Sequence, residues 1–136
     1  MDEGEVDKNK ILYVEDNKLL LTYTKINLEN SDYDFEVDTA QTVAEALKFI
    51  KKTDYDAVIS DYLLEEQDGL DLLRTLREEK GSDIPFIMFT GKGDETVAQK
   101  ALNMGADRYI RKKGDAKSQY DRLAEALIEL IRDEKG

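Results

Sequence analysis

Three short, unbroken apolar runs dictate what this chain folds into: Ile11-Leu12-Tyr13-Val14, Ala57-Val58-Ile59 and Phe86-Ile87-Met88-Phe89. Each is too short for a core helix, is bounded by polar or turn residues, and carries β-branched or aromatic side chains. Each therefore reads as a strand buried on both faces. Pro85 stands at the first position of the last run, where a missing N–H is tolerated. Two weaker strands join them. Phe35 and Val37 alternate with acids, as at a half-buried sheet edge, and Arg108-Tyr109-Ile110-Arg111 forms a short fifth strand.

Helical patterns fill the intervals. Asn17 can cap a helix to about Asn30, with Leu20, Tyr23, Ile26 or Asn27, and Leu28 on its inward side. Thr42 with Glu45 gives a capping-box pattern, followed by Val43, Ala46, Leu47 and Ile50 on one face. A third helix is predicted from about Gly69 to Lys80 with Leu70, Leu73 and Leu76 inward, and a fourth with Val97, Ala101, Leu102 and Met104, closing at Gly105. The last runs from about Ala116 to Asp133, with Tyr120, Leu123, Leu127 and Leu130 at helical spacing. Five strand–helix alternations with short connections predict one doubly wound α/β domain, with a parallel sheet covered by helices on both faces. The acidic, aperiodic residues 1–9 read as a flexible lead-in, leaving 10–136 as the domain.

Composition removes whole classes of chemistry. The chain has no histidine and no cysteine, so it has no imidazole or thiolate metal site, no Ser-His-Asp triad, no phosphohistidine and no disulfide. A net charge of −11 repels phosphate backbones and anionic lipid surfaces, so neither nucleic acid nor membrane is expected as a partner. No apolar run approaches a membrane span and the first residues are unlike a signal peptide, so a cytoplasmic location is expected.

The strand ends carry the candidate chemistry. Glu15 and Asp16 follow the first strand, Asp61 the third, Thr90 the fourth and Lys112 the fifth. In a parallel sheet these side chains meet at the carboxyl edge, where ligands collect. Clustered carboxylates raise one another's pKa unless a cation neutralises them. Oxygen-only donors point to a hard ion, Mg²⁺ or Mn²⁺. A carboxylate nucleophile taking up a phosphoryl group, with the metal and Lys112 spreading the charge, suits this set. Taken singly, Glu15 and Asp16 could be helix-lead acids, and Thr90 a loop hydroxyl bonded to backbone.

Val14-Glu15-Asp16-Asn17, Ile59-Ser60-Asp61-Tyr62 with Asp68-Gly69 beyond it, Phe89-Thr90-Gly91, and the run from Gly105 to Lys112 together resemble the response-regulator receiver domains of two-component signalling, over about 9–133. The resemblance implies a flavodoxin-like sheet in the order 2-1-3-4-5. It implies that a partner histidine kinase or phosphotransfer protein phosphorylates Asp61, and that Asp16, Asp61 and the Leu63 carbonyl bind the metal directly, with Glu15 mainly through water. Thr90 and Tyr109 become the switch pair, and Lys112 the partner of the phosphoryl group. The output is contact with a downstream protein or domain, or with a second copy. Enzymatic activity is limited to self-phosphorylation and self-dephosphorylation. The latter is expected to be slow, because Leu63 and Lys92 flank the approach of the hydrolytic water. Lys113 stands where the family usually has proline, so a trans bond is expected between Lys112 and Lys113. The segments Lys113-Gly114-Asp115 and Ser118-Gln119-Tyr120 resemble receivers of archaeal sensory kinases. Two alternatives stand beside this reading: a Mg²⁺-dependent phosphohydrolase with an aspartyl intermediate, and a pseudo-receiver that only binds partners. The first wants a second acid two residues after the nucleophile, where this chain has Leu63.

Overall fold

A computed structural model describes residues 8–135. β1 (Asn9–Val14) lies inside a five-stranded parallel sheet, flanked by β2 (Phe35–Ala40) and β3 (Ala57–Ser60); β4 (Phe86–Thr90) and β5 (Arg108–Arg111) follow on the far side of β3. The order β2-β1-β3-β4-β5 is the one that the resemblance implies. Of the expected lead-in, residues 1–7 lie outside the described residues, and Asn9 already belongs to β1, paired with Phe35.

The helices are α1 (Lys18–Glu29), α2 (Val43–Lys52), α3 (Gly69–Arg74), α4 (Glu95–Asn103) and α5 (Ala116–Lys135). Side chains alternate across each strand, so the sheet builds two cores. On one face Ile11, Tyr13, Ile59, Ile87 and Phe89 pack with Leu21 and Leu28 of α1 and with Leu123 and Leu127 of α5. On the other, Leu12, Val14, Val58, Phe86 and Met88 meet α2, α3 and Ala101 of α4. Among the described residues, no helix is long and apolar enough to cross a membrane.

Three expectations need correction. Helix α1 buries Leu21, Thr24 and Leu28, while Tyr23 and Ile26 face outward. The Thr24 hydroxyl is accommodated inside because it donates to Tyr120 Oη at 3.2 Å. Leu102 is also exposed, because α4 turns Ala101 to the sheet and the neighbouring position points elsewhere. The third helix is not uniform. Beyond Arg74, residues Thr75–Glu79 are π-helical, with Lys80 N–H donating to Thr75 O at 3.0 Å and Ser82 N–H to Leu76 O at 2.8 Å. Thr75 Oγ1 donates back to Asp71 O at 3.0 Å, the kind of bond that disturbs a helix ladder. In the widened turn, Arg77 donates to Gly105 O from Nε at 3.1 Å and from Nη2 at 2.8 Å, and to Ser82 O at 2.9 Å. It thereby ties α3 to the loop between α4 and β5.

Candidate functional site

Strand register sets the site. Val14 pairs with Ser60, so Glu15 and Asp61, one residue on, leave adjacent strands at one level. Thr90 pairs with Arg111, which puts Lys112 one residue beyond it. The ladders continue past the strand ends: Asp61 N–H donates to Val14 O at 2.9 Å, Glu15 N–H to Ala40 O at 3.0 Å, and Lys112 N–H to Thr90 O at 3.0 Å. The reversal of strand order between β1 and β3 opens a crevice at this edge.

At the centre, Lys112 Nζ donates to Glu15 Oε1 at 2.9 Å and to Asp61 Oδ2 at 3.1 Å. The ammonium also lies 5.2 Å from the centroid of the Phe89 ring. Asp61 is only 7% exposed, and its Oδ1 accepts from its neighbour Tyr62 N–H at 2.6 Å. Glu15 accepts from Tyr13 Oη and from Asn17 N–H at 3.4 and 3.2 Å. Burial pushes the Glu15 carboxyl up to about 7, aided by its hydrogen bond to Asp61 and opposed by Lys112. Burial alone would raise Asp61 as well, but hydrogen bonds to Glu15 and Thr90 and the Lys112 charge outweigh it and hold Asp61 below its ordinary range. The two neighbouring carboxyls are thus pushed in opposite directions, Glu15 up and Asp61 down.

Glu15, Asp61, Thr90 and Lys112 thus come together. Thr90 is buried, and its hydroxyl accepts from Lys92 N–H at 3.0 Å. The other candidates, Asp16, Leu63 and Tyr109, are more open to solvent. Asp16 is half-buried, with its carbonyl accepting from Gln41 Nε2 at 3.4 Å. Leu63 is 49% exposed. The Tyr109 hydroxyl donates to Lys92 O at 3.3 Å, reaching over the loop that Thr90 opens. Among the described residues, no three acidic side chains stand ready to hold a metal ion, and Lys112 occupies the space between Glu15 and Asp61. The donors nevertheless fit a hard cation: all are oxygens, and the Asp61 carboxylate is held charged.

No peptide bond among the described residues is cis, so Lys112-Lys113 is trans as expected. Gly69, at the start of α3, approaches so closely that an added Cβ would lie 2.3 Å from Asp61 O. Periodicity in the sequence also hid an outward stripe on α1. Leu19, Tyr23 and Ile26 are 69%, 58% and 51% exposed at helical spacing, beginning in the first turn beyond Asp16. Their exposure has no signal in a run where Leu19, Leu20 and Leu21 succeed one another.

Comparison with known proteins agrees with this geometry. Residues 11–124 match the response regulator receiver domain family. The alkaline phosphatase synthesis transcriptional regulatory protein PhoP of Bacillus subtilis (strain 168) is 37% identical over 103 residues, covering 76% of this chain and 42% of PhoP. A response regulator receiver domain protein from Clostridium thermocellum superposes with a TM-score of 0.82 at 29% identity, over 93% of this chain and 97% of that one. The signal receiver domain of a signal transduction histidine kinase from Syntrophus aciditrophicus does so at 0.78 and 30% identity, over 92% and 91%.

Proposed function

The chain belongs to the response regulator receiver domain family, and from that premise we propose that it works by accepting a phosphoryl group on Asp61 from a partner's phosphohistidine. The observation that carries this reading is the Lys112 ammonium bonded to a buried, charge-held Asp61 at the carboxyl edge of the sheet. An Asp61 oxygen attacks phosphorus and an O–P bond forms. The P–N bond to the donor's imidazole breaks, and the imidazole leaves with the electron pair and takes a proton from solvent. Lys112 faces the incoming negative charge, and the Thr90 hydroxyl is placed to donate to a phosphoryl oxygen.

Asp16, Asp61 and the Leu63 carbonyl would hold Mg²⁺, with Glu15 beyond them. The ion supplies positive charge that lowers the repulsion between carboxylate and phosphoryl oxygens. Tyr109 and Thr90 form the switch pair, and the face of α4, β5 and α5 carries the output to a downstream protein, domain or second copy. The chain spans 42% of the length of PhoP, so what that transcriptional regulator does as a whole is separate from the role proposed for this domain. A phosphohydrolase reading lacks its second acid, because Leu63 stands two residues after Asp61.

The donor docks over the α1 stripe. Leu19, Tyr23 and Ile26 give an apolar row leading away from the crevice, suited to a helix of a partner that presents its histidine at Asp61. The test of the central reading is intact mass after incubation with acetyl phosphate and Mg²⁺. One phosphoryl group should add to the wild type and none to Asp61→Asn. An unmodified wild type at saturating donor and Mg²⁺ refutes it.

A further inference from the structure

Lys112 lies one residue past the end of β5, where the sheet offers its backbone a single bond, from its N–H to Thr90 O at 3.0 Å. The backbone then turns sharply, with Lys113 N–H donating to Arg111 O at 3.0 Å. A side chain at such a turn has no neighbouring strand to hold its aim, yet its ammonium reaches two buried carboxylates.

The missing constraint comes from α5. Arg122 Nη2 donates to Arg111 O at 3.3 Å and to Lys113 O at 3.1 Å, the carbonyls on either side of Lys112. One turn earlier, Gln119 Nε2 donates to Gly114 O at 2.9 Å. The helix start is itself fixed, with Asp115 Oδ1 accepting from Ser118 N–H at 2.8 Å. Two side chains of α5 therefore hold three of the four carbonyls from Arg111 to Gly114, Lys112's own being the exception. A guanidinium suits this work because one amino group, Nη2, carries two N–H donors in the plane of a rigid, permanently charged head.

We propose that Arg122 is a positioning residue for phosphoryl transfer, which clamps the turn on both sides of Lys112 and so aims the ammonium at Asp61. This rests on the reading of Asp61 as the phosphoryl acceptor. Arg122 acts only through Lys112. Its side chain is exposed and its bonds are individually modest, so the expected effect is a fewfold change in rate.

The test compares wild type, Arg122→Ala, Arg122→Lys, Lys112→Ala and the double variant Lys112→Ala/Arg122→Ala. Phosphorylation by acetyl phosphate at saturating Mg²⁺ is followed by intact mass, and the Lys112 ammonium by proton-exchange NMR. Arg122→Ala should slow phosphorylation by about fivefold in the wild-type background and have no effect when Lys112 is absent. Arg122→Lys, which keeps the charge and loses the planar, rigid head and its reach, should restore at most part of the rate. The Lys112 ammonium protons should exchange faster with solvent in Arg122→Ala. Equal losses in both backgrounds, full rescue by lysine, or unchanged exchange at Lys112 would each overturn the proposal. A wild type that takes up no phosphoryl group sinks the reading of Asp61, while the exchange measurement still decides whether Arg122 aims Lys112.

Discussion

Lys112 Nζ donates to Glu15 Oε1 at 2.9 Å, across 97 residues of chain. The contact ties β1 to β5 across the carboxyl edge of the sheet, through an ion pair that is almost fully withdrawn from water. It also competes with burial for the charge state of Glu15, and that competition has a measurable pH dependence.

The Glu15 carboxyl is raised from its ordinary value of 4.5 to about 7, chiefly by burial. A raised acid binds a proton in the folded state that the unfolded chain has released, so its stabilising contribution is lost as pH rises from about 4.5 through about 7. Asp61 is shifted the other way, and its contribution is lost only when pH falls below the ordinary carboxylate range. Metal-free protein should therefore lose stability to urea as pH rises across the Glu15 interval, and Glu15→Gln should flatten that slope. Mg²⁺ affinity should rise over the same interval, since the ion competes with the proton on Glu15. Titration calorimetry in buffers of different ionisation heat would detect the proton released.

Gly69 is required by its closeness to the backbone of Asp61. A methyl group there would stand 2.3 Å from Asp61 O and 3.0 Å from Met88 Sδ. Gly69→Ala should cost about 1–3 kcal/mol in urea denaturation by overpacking, and should slow uptake of phosphate from acetyl phosphate as Asp61 is displaced. An alanine variant as stable and as fast as wild type would contradict the close approach.

If donor proteins dock on α1, charge placed in the stripe should discriminate between donors. Tyr23→Glu and Ile26→Glu should lower transfer from a phosphohistidine protein by about tenfold, or ~1.4 kcal/mol, and leave the rate with acetyl phosphate unchanged. Equal losses with both donors would show that the substitutions act on the site and not on docking.

Leu63 stands two residues beyond Asp61 with its side chain exposed, and that side chain has neither donor nor acceptor with which to orient a water. Leu63→Asn should shorten the lifetime of the phosphorylated form by about tenfold, ~1.4 kcal/mol of barrier. The measurement is decay of the phosphorylated mass after donor removal in Mg²⁺. An unchanged lifetime would place the control elsewhere.

The parts legible in the sequence were those that parallel-sheet physics writes into it. Buried strands leave unbroken apolar runs, and the residues just after them, Glu15, Asp61, Thr90 and Lys112, inherit a common edge. The orientation of α1 was illegible for a local reason. Three successive leucines have no single helical phase, and burying Thr24 depends on Tyr120, 96 residues away. Arg122 left no trace because it binds backbone carbonyls, which every residue possesses. The π-helical end of α3 was hidden likewise, since its hydrogen bonds are between main-chain groups.

That widened turn has a consequence for how the chain tolerates insertion and deletion. In α-helical pairing Lys80 N–H would donate to Leu76 O; here it donates to Thr75 O, and Leu76 O accepts from Ser82 N–H at 2.8 Å. Around an α-helix each residue advances the azimuth by roughly 100°. Removing one residue between Thr75 and Lys80 would turn the Lys80–Thr75 bond into an ordinary α-helical one and change the azimuth at which Arg77 meets Gly105 O. The length of Thr75–Glu79 thus sets the aim of Arg77 as much as its identity does, and a frame error there would loosen the loop leading into β5.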